Sequence, residues 1–147
     1  MGSGSRVALV LPGGERRVPE DAAFVEALAK DFSVVLPSHP GYGRSPRPHW
    51  CSTVGDLADI CLIWLDRTEQ TEVTLVGLQF GGWVAMEMAL RSSARISRLV
   101  LVDSVGVEPG GPLDRDIVDI FATPRAELEK RLPIADRDYR LATFLGR

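Results

Sequence analysis

The sequence predicts an α/β protein: a parallel, doubly wound sheet of about four strands with flanking helices, followed by a helical C-terminal segment. Three observations carry this. Residues 6–11, 32–36, 73–76 and 96–102 are short apolar runs with little polar alternation, the pattern of strands covered on both faces. Between consecutive runs, apolar residues recur at helical spacing, so strand and helix alternate along the chain. That order requires crossover connections, which are right-handed in parallel sheets.

Residues 1–5 read either as a flexible leader left by expression or as the Gly-Ser turn before the first strand. The first strand, 6–11, stops at Pro12-Gly13-Gly14. A crossover helix over 19–31 follows, with Ala23, Phe24, Ala27 and Leu28 as its apolar stripe and Pro19 in its first turn. The second strand, 32–36, opens into the Pro- and Gly-rich stretch 37–48, a loop at a strand's carboxyl end. Thr53 or Ser52 caps the next helix, whose buried stripe is Leu57, Ile60, Cys61, Trp64 and Leu65. Residues 73–76 form the third strand, Gly77 to Gly82 a sharp glycine turn, and 84–90 a third helix built from good helix formers. Residues 96–102 form the last strand, ending at Asp103-Ser104. After Gly106 the character changes. Pro109-Gly-Gly-Pro112 breaks the chain, and 113–122, 124–132 and 136–145 are three short charged helices, with Thr123 and Asp136 as N-caps. The expected organisation is a leader (1–5), an α/β core (6–106) and a helical segment (107–147).

At 147 residues the chain fits one domain with a core of ordinary size. Its 45% apolar and 25% charged content is that of a soluble globular protein. A formal net charge of -3 and the absence of a basic run give no footing for nucleic acid. No apolar run approaches the roughly 20 residues that span a bilayer, and the start has neither the basic nor the apolar region of a signal peptide. Cys51 and Cys61 have no metal or disulfide spacing, so the expected setting is a reducing cytoplasm, without a metal or cofactor. Cys61 belongs to the core stripe.

Four stretches together resemble the α/β-hydrolase family. Leu11-Pro-Gly-Gly14 is similar to the family's H-G-x-x loop, with Pro12 in place of His. Leu36-Pro-Ser-His-Pro-Gly-Tyr-Gly-Arg-Ser45 is similar to its D-x-P-G-x-G-x-S loop. Gly77-Leu-Gln-Phe-Gly-Gly82 resembles the nucleophile elbow G-x-S-x-G, and Leu99-Val-Leu-Val-Asp-Ser-Val-Gly106 its next strand. The resemblance covers about residues 4–121 and implies that the four strands are the third to sixth of a sheet that usually has eight, in the order 4-3-5-6, with the residues after Gly106 like the start of a helical lid. The resemblance thus implies a truncated α/β-hydrolase-like chain. A Rossmann reading fails, because neither glycine turn has the G-x-G-x-x-G order.

The resemblance also assigns the site. The nucleophile position holds Gln79, whose amide has no ionisable proton and no useful nucleophilic atom. The oxyanion donors would be the backbone amides of Gly14 and Phe80. Asp103 stands where some members place the acid; alone it has no His to orient, and a solvated or capping Asp is the simpler reading. The family's catalytic His has no counterpart, since the only histidines are His39 and His49. His39, at the carboxyl edge of the sheet, reads as a base or as a structural loop residue. Cys51 is a candidate surrogate thiol with nothing nearby in sequence to lower its pKa. The expected function is a pseudo-hydrolase with a binding or assembly role, holding a small carbonyl or carboxylate ligand. The alternative is an enzyme, either a hydrolase completed by a partner chain or a lyase or cyclase working without a serine. Apolar edge strands predict a homo-oligomer, pairing with another chain through the sheet edges, or the charged C-terminal helices folding over an edge.

Overall fold

A computed structural model describes residues 6–13 and 22–106, with Pro124 and Glu127. The chain divides into two compact units, Met1–Val107 and Glu108–Arg147, and every described element belongs to the first. The expected leader, Gly14, Pro19 and, apart from Pro124 and Glu127, the helices predicted after Gly106 lie outside the described residues.

The elements run β1 (Arg6–Leu11), α1 (Ala22–Leu28), β2 (Phe32–Val35), α2 (Val54–Arg67), β3 (Val73–Leu78), α3 (Phe80–Arg91) and β4 (Ile96–Val102). All pairings are parallel and the spatial order is β2-β1-β3-β4, the order the sequence implied. Ala8 stands opposite Val34 on one side and Thr74 on the other, so β1 and β3 form the centre of the sheet.

Burial on both faces explains the unbroken apolar runs. Leu9, Leu11, Val73 and Leu75 project into a core shared with Leu57, Ala58, Cys61 and Leu65 of α2 and Val84, Ala85 and Met88 of α3. Ala8, Val10, Val34 and Val76 project the other way, onto Val25 and Leu28 of α1. Successive strand residues serve opposite cores, so the positions of β1 and β3 are apolar apart from Arg6, Thr74 and Gly77.

Helix α2 starts at a full capping box. The Asp56 amide donates to Thr53 Oγ1 at 3.1 Å, and the Thr53 amide donates to Asp56 Oδ2 at 2.8 Å. The Ser52 amide also donates to that carboxylate, and these bonds, Ser52 first, hold Asp56 below the usual carboxylate range. Burial pushes the Cys61 thiol up to about 11, which keeps it protonated and fits its place in the core stripe. On the outer surface Arg91 of α3 reaches Asp59 of α2 at 3.2 Å and also pairs with Glu87. In α1 the sequence put Phe24 on the buried stripe, but Val25 is the residue that packs and Phe24 is 39% exposed. The helix is rotated by about one residue from the predicted face.

Among the described residues, strand β4 lies at an edge of the sheet and pairs only with β3. Its apolar residues stay open: Leu99, Val100, Leu101 and Val102 are each 39–44% exposed. The other edge, β2, is better covered, with Val34 buried and its neighbours half-buried.

Candidate functional site at the carboxyl end of the sheet

The site is built where β3 hands over to α3. Leu78 ends the strand, Phe80 begins the helix, and the whole reversal falls on Gln79 at φ 48°, ψ -114°. The Gln79 amide donates to the Val102 carbonyl at 2.9 Å. Its carbonyl accepts from the Gly82 amide at 3.0 Å and the Val105 amide at 3.3 Å. Three backbone bonds therefore pin a residue in a region that side chains rarely occupy. The turn is this tight because α3 lies directly on the sheet: a β-carbon on Gly81 would run into the Leu11 carbonyl oxygen, and one on Gly82 into Ser104 Oγ.

Gln79 is exposed, and its side chain turns toward β1. A β-carbon on Gly13 would lie 2.5 Å from Gln79 Oε1 and 2.9 Å from Gln79 Cβ. The amide therefore covers the Pro12-Gly13 loop. Phe80 supplies the first N–H of α3, a group without an intrahelical acceptor by helix geometry. The other amide the sequence singled out, that of Gly14, lies outside the described residues.

His39 is brought to the same place but faces inward. It is 2% exposed, and its Nε2 lies 3.3 Å from the Pro12 carbonyl oxygen. Since that oxygen only accepts, the ring must donate through Nε2. Burial holds its pKa below the ordinary value, with the Pro12 bond opposing more weakly. His39 thus ties the loop after β2 to the loop after β1.

An aromatic row runs from it along the site. His39 meets Tyr42 edge-on at 5.8 Å and Phe80 edge-on at 5.9 Å. Tyr42 stacks on Phe80 at 6.1 Å, and Phe80 meets Trp83 at 6.5 Å. Trp83, partly exposed, covers Gly106, where a β-carbon would strike the indole. Sequence reasoning missed Tyr42 and Trp83 as site residues. The usable signal was Tyr42 between two turn glycines, and Trp83 one helical turn after Phe80.

The remaining candidates stand apart. Asp103 is exposed at φ 48°, just past β4. His49 is exposed. Cys51 is buried in the α2–α3 core cluster and is no surface thiol. Ser104 Oγ is buried, pressed against Gly82, with no hydrogen-bond partner among the described residues. Among the described residues, no three His, Cys, Asp or Glu side chains gather as a metal site, and no helix is long and apolar enough to cross a membrane.

A parallel sheet in this order, with a non-glycine residue at positive φ between β3 and a glycine-flanked helix, invites comparison with known proteins. The family described as alpha/beta hydrolase fold matches residues 9–133. The chain belongs to this family. Among characterised relatives it is similar to 2-hydroxy-6-oxo-2,4-heptadienoate hydrolase of Pseudomonas putida F1, 33% identical over 138 residues, covering 81% of this chain and 48% of the relative. It is likewise similar to 2-hydroxymuconate semialdehyde hydrolase of Pseudomonas sp. CF600, 40% identical over 113 residues, covering 67% of this chain and 40% of the relative. Cfl2 from Burkholderia cenocepacia shares the fold over 99% of this chain and 49% of its own, with a TM-score of 0.67 at 22% identity. The chain spans about half the length, or less, of these relatives.

Proposed function

We propose that this member of the alpha/beta hydrolase fold family works as a binding module at the elbow and does not hydrolyse esters by itself. The observation that carries this is Gln79. It occupies the backbone geometry of the elbow and offers an amide where a nucleophile would have to stand. Its side chain lies across Gly13, over the loop that the resemblance would use for oxyanion binding. His39, whose ring meets Phe80 edge-on beside this turn, is buried and uses Nε2 on the Pro12 carbonyl. What remains is a recognition surface. The Phe80 amide at the start of α3 suits a carbonyl or carboxylate oxygen, the Gln79 amide can donate and accept, and Tyr42, Phe80 and Trp83 suit a flat apolar body.

The test has two arms. Incubated with p-nitrophenyl acetate and a fluorophosphonate probe, wild type and Gln79→Ser should both stay unlabelled and turn over no faster than buffer. Labelling of the wild type would end the non-hydrolytic reading. Titration with benzoate should shift the backbone amide resonance of Phe80, and a resonance that does not move would remove the ligand assignment.

A second reading has its own support. The backbone keeps φ 48° at a non-glycine residue, a conformation that costs on the order of 1–3 kcal/mol and tends to persist at working sites. Relatives at 33–40% identity are named hydrolases. On this reading the chain is one part of a hydrolase whose base comes from another polypeptide. Activity of Gln79→Ser in a complex, but not alone, would select it.

A further inference from the structure

We propose that His39 is a proton-operated latch. Neutral, it clips the turn after β2 onto Phe80 and the end of β1; on taking up a proton, it lifts that turn off the elbow. The inference goes beyond the ligand reading and holds whatever the elbow binds. The turn is a preformed unit. The Tyr42 amide donates to the His39 carbonyl at 3.0 Å, Pro40 follows His39, and Gly41 stands at φ 87°, the signature of a type II turn. The two residues that bracket it both seat on Phe80 of α3, His39 edge-on at 5.9 Å and Tyr42 stacked at 6.1 Å. One bond reaches further, from His39 Nε2 to the Pro12 carbonyl at 3.3 Å. The loops after β1 and β2 and the first residue of α3 therefore meet at one imidazole, which is 2% exposed.

These surroundings suit only the neutral ring. Facing it are the Pro12 carbonyl from the end of β1, the Tyr42 ring from its own turn and the Phe80 ring from α3. Among the described residues, Tyr42 is the one titratable group in contact with the ring, and no carboxylate stands against it. A neutral imidazole has a single N–H, and Pro12 accepts it. An imidazolium adds a second N–H at Nδ1, which has no acceptor among the described residues, and a buried charge without a partner is unfavourable. Burial accordingly holds the pKa below its ordinary value. Swinging the ring into water relieves this without unfolding the chain. The other backbone bonds of the turn, from the Gly41 amide to Ser45 and from the Ser45 amide to Tyr42, lie within the same loop, so no strand or helix has to break. The movement takes Tyr42 off Phe80 and frees the Pro12 carbonyl, which opens one wall of the elbow. Above pH 6.5 the ring is neutral in both positions and the turn stays seated. Below it the lifted ring takes up a proton that the seated ring resists, so the lifted fraction rises as pH falls and levels off below the seated-state pKa. With 6.5 for the lifted ring, the gain between pH 7.5 and pH 5.0 is at most about 30-fold.

Native-state hydrogen exchange reads the lifted fraction, because a lone turn does not hold its amides against water. Protection factors of the Tyr42 and Ser45 amides, corrected for the intrinsic rate at each pH, should fall by about fivefold or more from pH 7.5 to pH 5.0, up to the 30-fold limit. At both pH values they should stay at least about tenfold below those of β1 and β3, which shows that the opening is local. His39→Gln keeps a donor for Pro12 and cannot take up a proton, so its turn should change by less than about twofold. His49→Gln, in an exposed position, should behave as wild type. Protection that holds at pH 5.0, that falls equally in His39→Gln, or that matches β1 and β3 throughout overturns the proposal. Should His39→Gln fail to fold, the wild type alone decides: the fall must follow the titration of the His39 ring resonances, and a fall displaced from it overturns the latch.

Discussion

Gln79 concentrates the conflict between backbone and side chain. Its φ of 48° is imposed by the Val102, Gly82 and Val105 backbone bonds, and the side chain contributes no capping bond of its own. A glycine there would relieve the strain, so Gln79→Gly should raise stability by about 1 kcal/mol, measured as a later urea midpoint. A loss of stability instead would mean that the amide packed on Gly13 outweighs the strain. This turn was legible in the sequence because its steric demands are local: Gly77, Gly81 and Gly82 surround it within six positions. The contact with Gly13 was not legible, because the β1 and β3 ends meet only once the sheet has formed. His39 shows the same divide. Its loop position could be read, while its burial depends on Pro12 and Phe80 arriving from two other segments. The lowered pKa has a signed consequence. Below the ordinary value of 6.5 the unfolded chain takes up a proton that folded His39 resists. Unfolding is then favoured as pH falls through that value, and the loss levels off below the folded-state pKa. His39→Gln should therefore lose less stability than wild type between about pH 7.5 and pH 5, compared by urea midpoints. Equal losses would show that His39 is not the group responsible.

Helices α1 and α2 differ in how openly the chain announces them. The α2 signal is short-range: Thr53 and Asp56 bond each other's backbone across three residues, and the stripe of Leu57, Cys61 and Leu65 follows helical spacing. Thr53→Ala should cost about 1 kcal/mol in urea unfolding, with Asp56 losing part of the bonding that holds its carboxylate pKa down. In α1, seven residues long, Phe24 and Val25 compete for the sheet, and apolarity alone favours the larger ring. The structure gives the contact to Val25 because it meets Val34 and Val76 across the small α1 core. Val25→Ala should then cost about 1–2 kcal/mol. Phe24→Ala should stay within about 0.5 kcal/mol, as expected for a surface site. A reversed order in thermal melts would return the buried face to the sequence's choice.

The molecule as described is lopsided, and its opening order should follow. Between β1, β3, α2 and α3 lies the larger core, with Leu9, Leu11, Leu65, Leu75, Val84 and Met88 essentially removed from water. Across the sheet the α1 core rests on five buried residues, four of them from strands. At the far edge β4 keeps its backbone bonds to β3 but leaves Leu99 to Val102 open. The strand order and the hazard of apolar edges were both readable from the sequence, since four parallel runs joined by crossovers must end somewhere. Which edge stays open was not readable, because β2 and β4 carry equally apolar sequence. The difference lies in tertiary cover: β2 shares the α1 core through Val34, while no residue of β4 is fully buried. Local opening free energies scale with buried apolar contact. Native-state hydrogen exchange of the isolated chain should thus rank β1 and β3 slowest, β2 and α1 next, and β4 fastest among the strands. The amides of β4 that face outward should exchange without any unfolding, and those bonded to β3 should exchange by separation of that one strand. Protection in β4 equal to that in β3 would mean that its edge and faces are already covered in the isolated chain. The contrast between the two edges of the sheet would then vanish.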